Sequence, residues 1–344
     1  MTAVAVIGEF THAIYEASFC DALERAGCHV LRVPVGDLLG PKTRWSSIQD
    51  RLVMGPNVRR ANERVRKALA SWSGVVLAWR TPWLDPAIVE RMQLHGVRVA
   101  LYNNDDPFGP DRTNRRWRKF QAIIPAANVC FVYRDVNVSE FSSAGARQVH
   151  VLRSAFDPTV HRPVALSEAE RKKYGADVVF IGHCEGDSRL DFMDSLLQSD
   201  LRVGLYGTGW ERFATGRSWR DRLPIGPLYG DAYVKAIAAA KIALVFLSNR
   251  NRDDYTRRCF EIPAIGTLML APRTDTLLKM FKEGEEAIYF SSAVELVGKA
   301  RQYSADEAAR TKIAGAGHRR CLADGHDLDS RAREFLRFMT ASSR

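Results

Sequence analysis

Short apolar runs recur along the chain, and amphipathic helical patterns fill the intervals between them. The first series comprises VAVIG at 4–8, HVLRV at 29–33, GVVLAW at 74–79, VRVALY at 97–102 and VCFVY at 129–133. Continuous apolar strands that alternate with helices are typical of a parallel sheet covered on both faces. The first half of the chain is therefore predicted to be a doubly wound α/β domain.

The series restarts after residue 160, with DVVFIG at 177–182, LRVGLYG at 201–207, IALVFL at 242–247, TLMLA at 267–271 and AIYF at 287–290. Between the two series, the polar, Pro-containing segment 155–175 has no strand signal and is predicted to be a linker. Three helical patterns occupy 293–340. We predict two Rossmann-like domains facing each other across a cleft, at 1–160 and 161–330, with a terminal helix at 331–344 that crosses back to the first domain.

The composition favours a soluble, folded protein. The chain has 344 residues, 46% of them hydrophobic and 26% charged, which suits two domains of ordinary size. No stretch approaches the roughly 20 apolar residues of a membrane span, and the first residues lack the features of a signal peptide. The six cysteines form no C-x-x-C pair and are predicted to be buried thiols. We expect a cytoplasmic protein, with peripheral attachment at the inner membrane face as an alternative.

The net charge of +10 predicts an anionic partner, whether nucleic acid, a membrane surface or a phosphorylated small molecule. Two basic runs, 42–67 and 112–119, are candidate surfaces for such a partner. The second run interleaves Trp117 and Phe120 with cations, a pattern also found in nucleic-acid-binding proteins. The alternative for both runs is a solvated helix surface.

The stretch DDYTRRCFEIPAIG lies between two predicted strands and should form a loop that enters a helix. Helix N-termini attract phosphate, so Arg257 or Arg258 and the first helical turn form a candidate anion site. Glu261, three residues beyond Arg258, is a candidate ligand for ribose hydroxyls. The alternative is an ion pair between Arg258 and Glu261 within the helix.

In the first half, YNNDDP places several polar residues at the end of a strand. Asp105 and Asp106 are candidate general bases that would deprotonate an acceptor hydroxyl, and His12, four residues after Gly8, is another. The alternative is that the Asx-Pro sequence simply begins a loop.

Several motifs resemble the CgeB-type group of nucleotide-sugar glycosyltransferases, which have the GT-B fold. The resemblance covers most of the chain and is strongest from 177 to 336. The motifs in this part are DVVFIGH, LRVGLYGTGW, YTRRCFEIPAIGTLMLAP, MFKEGEEAIYF, ELVGKARQY and HDLDSRAREFL, and those in the first half are LYNNDDPF and FVYRD.

The resemblance implies specific roles for the matching residues. It implies that Arg258 binds the donor diphosphate, that Glu261 binds the ribose, and that Asp253, where related enzymes have Glu, lies near the transferred sugar. The other donor-side positions that it implies are Gly182, His183, Arg189, Gly207, Trp210, Gly266 and Thr267, beside the candidate Arg257 from the helix start. On the acceptor side, the corresponding positions are Gly8, Asn104 and Arg134.

The predicted function is metal-independent transfer of a sugar, of the hexosyltransferase type, from a UDP-, GDP- or dTDP-sugar to a hydroxyl group, with no other cofactor. The acceptor class stays open among glycan, lipid, protein and small molecule. Alternatives are a phage-type DNA-modifying glycosyltransferase and a non-catalytic nucleotide-sugar-binding protein. A dehydrogenase is disfavoured because no G-x-G-x-x-G follows either first strand. A metal site at His318, Cys321 and His326 is disfavoured because a fourth ligand is missing.

Overall fold

The computed structural model describes residues 2–39, 43, 48–49, 52–109, 114–222 and 225–340. The chain divides into two compact units, one formed by Met1–Ser154 with Leu328–Arg344 and the other by Ala155–Asp327. Parts of the basic runs 42–67 and 112–119 lie outside the described residues. Within the described part of the chain, no helix has both the length and the apolar character needed to cross a membrane.

The first unit is built on a six-stranded parallel sheet with the order β2-β1-β3-β4-β5-β6. Its central strands are almost wholly buried, which explains their continuous apolar sequences. The strands are β1 (Ala3–Gly8), β2 (His29–Pro34), β3 (Val75–Trp79), β4 (Arg98–Asn103), β5 (Val129–Val132) and β6 (Val149–Val151).

Helices cover both faces of this sheet. They are α1 (Ser18–Arg25), α2 (Gly36–Leu39), α3 (Pro56–Ala68), α4 (Pro86–Leu94), α5 (Arg118–Ile123) and α6 (Val136–Ser143), with a π-helical turn at Ala13–Ala17 and a 3-10 turn at Asn114–Trp117. The last helix of the chain, which we number α15 (Leu328–Thr340), packs in this unit. Its Phe335 ring lies 5.8 Å from Phe19 on α1 and 5.3 Å from Phe131 on β5, centroid to centroid.

The second unit has a five-stranded parallel sheet with the order β11-β10-β9-β7-β8. Its strands are β7 (Ala176–Ile181), β8 (Val203–Tyr206), β9 (Ala240–Leu244), β10 (Leu268–Pro272) and β11 (Ile288–Phe290). Its helices are α7 (Glu168–Tyr174), α8 (Arg189–Leu197), α9 (Trp210–Phe213), α10 (Gly230–Ala239), α11 (Arg258–Ile265), α12 (Asp275–Met280), α13 (Ala293–Ala305) and α14 (Glu307–Ala323), with a 3-10 turn at Arg220–Arg222.

All ten predicted strands are confirmed, as are the three helices in the region 293–340. Strand β6 was not predicted. The segment 155–175 is not simply a linker, because it contains α7. A capping box starts this helix: the Ser167 side chain accepts from the Glu170 N–H, and the Glu170 carboxylate accepts from the Ser167 N–H.

The strand order locates the ligand-binding edge of each sheet. In doubly wound sheets, ligands bind at the carboxyl ends of the strands where the chain reverses its direction of winding. In the first unit this switch point lies between β1 and β3, and in the second unit between β7 and β9.

Candidate functional site

Gly182 follows β7 at the switch point of the second unit, and neighbouring groups enclose it. Its N–H donates to the Tyr206 carbonyl and its own carbonyl accepts from the Trp210 indole, both at 2.9 Å. A Cβ atom here would lie 2.7 Å from the Phe180 ring and 3.0 Å from a guanidinium nitrogen of Arg258. Both backbone groups of Gly182 are therefore occupied, and what the glycine provides is room for Arg258.

Trp210 and Gly207 pack against the backbone of the Gly182 turn. Trp210 is fully buried and packs on Phe180 and Trp219, so it belongs to the core and offers no surface to a nucleobase. Gly207 has a φ of +142°, and a Cβ atom there would overlap the carbonyl oxygen of Gly182. In the structure these two residues hold the Gly182 turn in place, and their shaping of the nucleobase side stays a prediction.

His183 and Thr208 are the exposed side chains next to this turn. The His183 Nδ1 and Thr208 Oγ1 atoms lie 2.9 Å apart, which fixes the imidazole over Gly209. His183 is thus fixed in position and open to solvent, as a ligand-contacting residue must be.

Arg189 lies at the start of α8, and its guanidinium is used inside the protein. It pairs with Asp187 through Nε and Nη2, and it donates to the carbonyls of His183 and Leu247. Those two carbonyls belong to the loops that follow β7 and β9. Arg189 is only 5% exposed. The structure therefore gives it the role of joining the two loops, in place of the predicted contact with the diphosphate.

Arg258, the first residue of α11, is held at the same edge of the sheet. Its Nε donates to the Ile181 carbonyl at 2.6 Å, which joins the helix start to the end of β7. Within the described residues its two Nη groups have no hydrogen-bond partner, and the residue is partly exposed. Arg258 is thus anchored at one nitrogen and open at two, beside a helix N-terminus that attracts anions.

Glu261 is the centre of a buried polar network. Its Oε1 accepts from Arg257 Nε at 2.5 Å and lies 3.5 Å from His161 Nε2, while its Oε2 accepts from the Tyr233 hydroxyl at 2.5 Å. Burial alone would raise the pKa of Glu261, but the charge of Arg257, with His161 and Tyr233, holds it at about 2. The ion-pair partner of Glu261 is therefore Arg257, and the alternative of an ion pair with Arg258 is not found.

The positions predicted downstream of Glu261 lie elsewhere in the unit. Gly266 caps the C-terminus of α11, and the Thr267 hydroxyl donates to the Ile237 carbonyl. Eight residues of helix, about 12 Å, separate Gly266 from Arg258. Gly266 and Thr267 precede β10 and so lie at the amino-terminal ends of the parallel strands, whereas Gly182 lies at their carboxyl ends. The two sets of residues therefore cannot line the same pocket.

Asp253 stays on the loop that precedes α11. Its N–H donates to the Ser248 carbonyl at 2.9 Å, and its side chain is partly buried. The neighbouring Arg252 has a left-handed backbone with a φ of +49°. Strained non-glycine residues of this kind are concentrated at functional sites.

In the first unit, the switch point contains a carboxyl group that the sequence did not suggest. Glu16 lies within the π-helical turn and packs against Gly8, where a Cβ atom would lie 2.7 Å from the Glu16 Cγ. It is 5% exposed, and burial raises the pKa of its carboxyl above the ordinary value. Arg80 follows β3 and its charge partly offsets this rise. A buried carboxyl with a raised pKa has the properties of a group that takes up or gives a proton in general acid–base catalysis.

The predicted acids of the YNNDDP stretch have partners within the protein. Asp105 pairs with Arg80 at 3.0 Å, and the 2% exposed Asp106 accepts from the Asn137 amide at 3.0 Å and from a backbone N–H of its own loop. These partners favour the alternative that the Asx-Pro sequence begins a loop, and they do not favour Asp105 or Asp106 as a general base.

The other predicted acceptor-side residues differ in exposure. Arg134 is 1% exposed and donates to the Asn104 carbonyl at 3.0 Å. His12 is exposed at the start of the π-helical turn. Arg134 therefore holds the loop that carries Asn104. The His12 side chain, in contrast, is open to solvent.

Comparison with solved structures decides the fold. Sucrose-phosphate synthase from Thermosynechococcus elongatus superposes with a TM-score of 0.70 at 13% identity over 98% of each chain. HepE from Anabaena, in complex with UDP-glucose, gives 0.70 at 11% identity over 99% of this chain and 100% of that one. A trehalose 6-phosphate synthase from Burkholderia multivorans gives 0.63 at 11% identity over 98% of each chain.

The fold is GT-B. In addition, residues 189–337 match the family model described as glycosyl transferase-like. No curated protein matches the chain in sequence. The matched region contains Arg258, Glu261 and the loop that carries Asp253.

Within this GT-B chain, sequence reasoning missed His161, Tyr233 and Glu16. Tyr233 lies on α10 and His161 on the segment before α7, so only the tertiary fold brings them to Glu261. One signal was available, because Arg257 and Glu261 are four residues apart, the spacing of an ion pair on one helix face. For Glu16 the sequence has no comparable signal.

The aromatic residues of the second basic run and two residues of the disfavoured metal site make contacts inside the protein. Trp117 and Phe120 are 1% and 0% exposed in the core of the first unit, so neither is available to stack on a base. His318 and Cys321 bond to carbonyls of α11, which holds α14 against it. Among the described residues, no group of three or more His, Cys, Asp or Glu side chains could hold a metal ion.

Proposed function

We propose that this protein is a glycosyltransferase that uses a nucleotide-diphosphate sugar and holds that donor at the switch point of its second unit. The observation that supports this most directly is the geometry of Arg258. One of its nitrogens is fixed on the Ile181 carbonyl, and its two Nη groups are open beside Gly182 and the start of α11. An arginine with this geometry, next to a helix N-terminus, suits a diphosphate.

The reaction would displace a nucleoside diphosphate from the anomeric carbon by an acceptor hydroxyl. Negative charge then develops on the leaving diphosphate, and fixed positive groups stabilise that charge most effectively when they need no rearrangement. Arg258, whose Nε is fixed on the Ile181 carbonyl, can supply this stabilisation. We therefore propose metal-independent transfer.

The other donor-side roles follow from exposure and partners. His183 and Thr208, both exposed, are proposed to contact the donor, and Asp253 is proposed to lie near the sugar. Glu261 is proposed to act through Arg257 and the helix start, because its two oxygens already have partners. Its predicted contact with the ribose is replaced by this positioning role.

A UDP-sugar is the proposed donor, since the HepE structure of the same fold was solved with UDP-glucose. The motifs described above favour the CgeB-type group and transfer of a hexosyl unit.

On the acceptor side we propose that Glu16 takes the proton from the acceptor hydroxyl, because it is a buried carboxyl group at the switch point of the first unit.

Calorimetric titration of the full chain with UDP, GDP and dTDP tests the donor site. We expect one of these nucleotides to bind, and the Arg258→Ala variant to bind it at least 10-fold more weakly, because a charge-assisted hydrogen bond contributes about 1.5–3 kcal/mol. Arg171→Ala is the matched control, since it removes an exposed arginine from α7. Equal binding by folded Arg258→Ala, or no nucleotide binding to the unmodified chain, would refute the assignment.

A further inference from the structure

The segment just before α3 exposes an unusual concentration of large apolar side chains. Ile48, Leu52 and Met54 are 48%, 52% and 63% exposed. The other exposed large apolar residues of the described chain are scattered singly. Single exposed apolar residues are normal on a soluble protein, but a cluster marks a surface that contacts something apolar.

The backbone holds this cluster outward. Val53, between the two most exposed residues, is 4% exposed and packs in the core of the first unit, with a φ of +51°. A β-branched residue in the left-handed region is strained and persists only where its surroundings impose it. Because Val53 is anchored inward, Leu52 and Met54 on either side of it are exposed.

Gln49 ties this segment to the start of α3. Its carbonyl accepts from the Met54 N–H at 3.2 Å, and its side-chain oxygen accepts from the Asn57 N–H at 3.1 Å in the first turn of the helix. The apolar cluster is therefore fixed next to the helix rather than carried by an independent loop.

The adjoining surface of α3 is strongly basic. The helix contains five cations and one carboxylate, Glu63, which pairs with Arg66 and Lys67. Arg59 and Arg60 are exposed and form no ion pair with any described residue. A groove of about 560 Å³ is lined by Met54 and by charged residues, of which four are cations (Arg59, Arg60, Arg66 and Lys119) and two are carboxylates (Glu63 and Asp85). Apolar and cationic groups thus share one surface.

We propose that this surface, formed by Ile48, Leu52, Met54, Arg59 and Arg60, binds an anionic phospholipid bilayer. The apolar side chains would enter the boundary between headgroups and acyl chains, and the arginines would contact lipid phosphates, the arrangement of peripheral membrane proteins. Nucleic acid fits this surface less well, because it would require exposed aromatic rings or base-reading polar groups in place of aliphatic side chains. The aromatic rings of the adjacent basic run, Trp117 and Phe120, are buried.

Vesicle flotation with the full chain tests the proposal. The probes are vesicles of phosphatidylcholine alone and vesicles of phosphatidylcholine mixed with the anionic lipid phosphatidylglycerol. We expect binding to the anionic vesicles and little binding to the neutral ones. Arg59→Ala/Arg60→Ala should reduce the partition coefficient roughly 30-fold, since each cation near such a surface contributes about fivefold.

Two further variants separate the possible outcomes. Leu52→Ser/Met54→Ser keeps every charge and should also lose most of the vesicle binding, whereas a purely electrostatic contact would not change. Arg171→Ala/Lys172→Ala removes two exposed cations from α7 and should bind vesicles as the unmodified chain does.

Failure of the unmodified chain to float with anionic vesicles would overturn the proposal, as would equal losses in the α7 control. Two results together would assign the surface to nucleic acid instead. The Leu52→Ser/Met54→Ser variant would bind vesicles fully, and the unmodified chain would show salt-sensitive binding to duplex DNA that the Arg59→Ala/Arg60→Ala variant loses. Nucleotide binding measured on each variant should be unchanged, which separates this test from that of the donor site.

Discussion

Removing the Glu261 carboxylate is expected to destabilise the second unit strongly, even if the donor never contacts this residue. The Arg257 and Glu261 side chains are only 11% and 7% exposed. Glu261→Ala would leave the Arg257 guanidinium buried without its carboxylate, and the Tyr233 hydroxyl without its acceptor. Breaking a buried ion pair from one side typically costs about 3–5 kcal/mol. We expect a loss of this size in the free energy of unfolding.

Urea titration followed by circular dichroism measures this loss, and hydrogen exchange locates it by the protection of peptides from β7 and α11. The matched control is Arg257→Met/Glu261→Met, which removes both charges together and should recover most of the stability, because apolar replacement of a whole buried pair is often nearly neutral. A cost below about 1 kcal/mol for Glu261→Ala, or a double variant no more stable than the single one, would refute the view that Glu261 compensates the Arg257 charge.

The same pair predicts a pH dependence with a definite sign. The pKa of Glu261 is lowered from its ordinary value of 4.5 to about 2 in the folded protein. Its contribution to stability is therefore fully present above pH 4.5 and is lost as the pH falls toward 2. The stability difference between the unmodified chain and Glu261→Ala should shrink over this acid range, and a difference that stays constant there would contradict the low pKa.

Three other outcomes are expected. Gly207→Ala should destabilise the protein by several kcal/mol, roughly 2–4, in thermal unfolding, because the new Cβ atom overlaps the Gly182 carbonyl at a left-handed position; a melting temperature within a degree of the original would contradict this. Phe335→Ala should cost about 3–5 kcal/mol in urea titration, since the ring is fully buried against the first unit; a surface-like cost below 1 kcal/mol would show that α15 is not part of that core. Glu16→Gln should lower kcat about 10²-fold or more with little change in KM, and normal turnover would remove Glu16 from the reaction.

The strands could be predicted because their burial leaves a direct mark on the sequence. A strand covered on both faces is a continuous apolar run, as in β3 and β7, and each such run predicted a strand correctly. Strand β6 escaped notice because its three residues, Val149–Val151, are only partly buried and include a histidine. The order of strands within each sheet depends on tertiary packing, so the positions of the switch points came only from the structure.

The candidate site could be predicted in outline but not in its pairings. The sequence indicated that Arg257 or Arg258 would face an anion, but the choice depends on how α11 is rotated and on what packs against it. In the structure Tyr233 and His161 come from distant parts of the chain to the Glu261 side of the helix, which captures Arg257 and leaves Arg258 open. Contacts of that kind leave no periodic pattern in a single sequence.

Backbone strain gives an independent indication of where each unit works. Four described non-glycine residues have a left-handed backbone, and three of them, Phe10, Arg80 and Arg252, lie in loops that follow β1, β3 and β9. Strands β1 and β3 flank the switch point of the first unit, and β9 is one of the two strands that flank the switch point of the second. Such residues cost about 1–3 kcal/mol each and persist where the surrounding structure imposes them. The fourth is Val53, a core residue between Leu52 and Met54 of the proposed membrane surface. Strain would thus coincide with all three surfaces to which a function is proposed, on grounds that involve neither charge nor family resemblance.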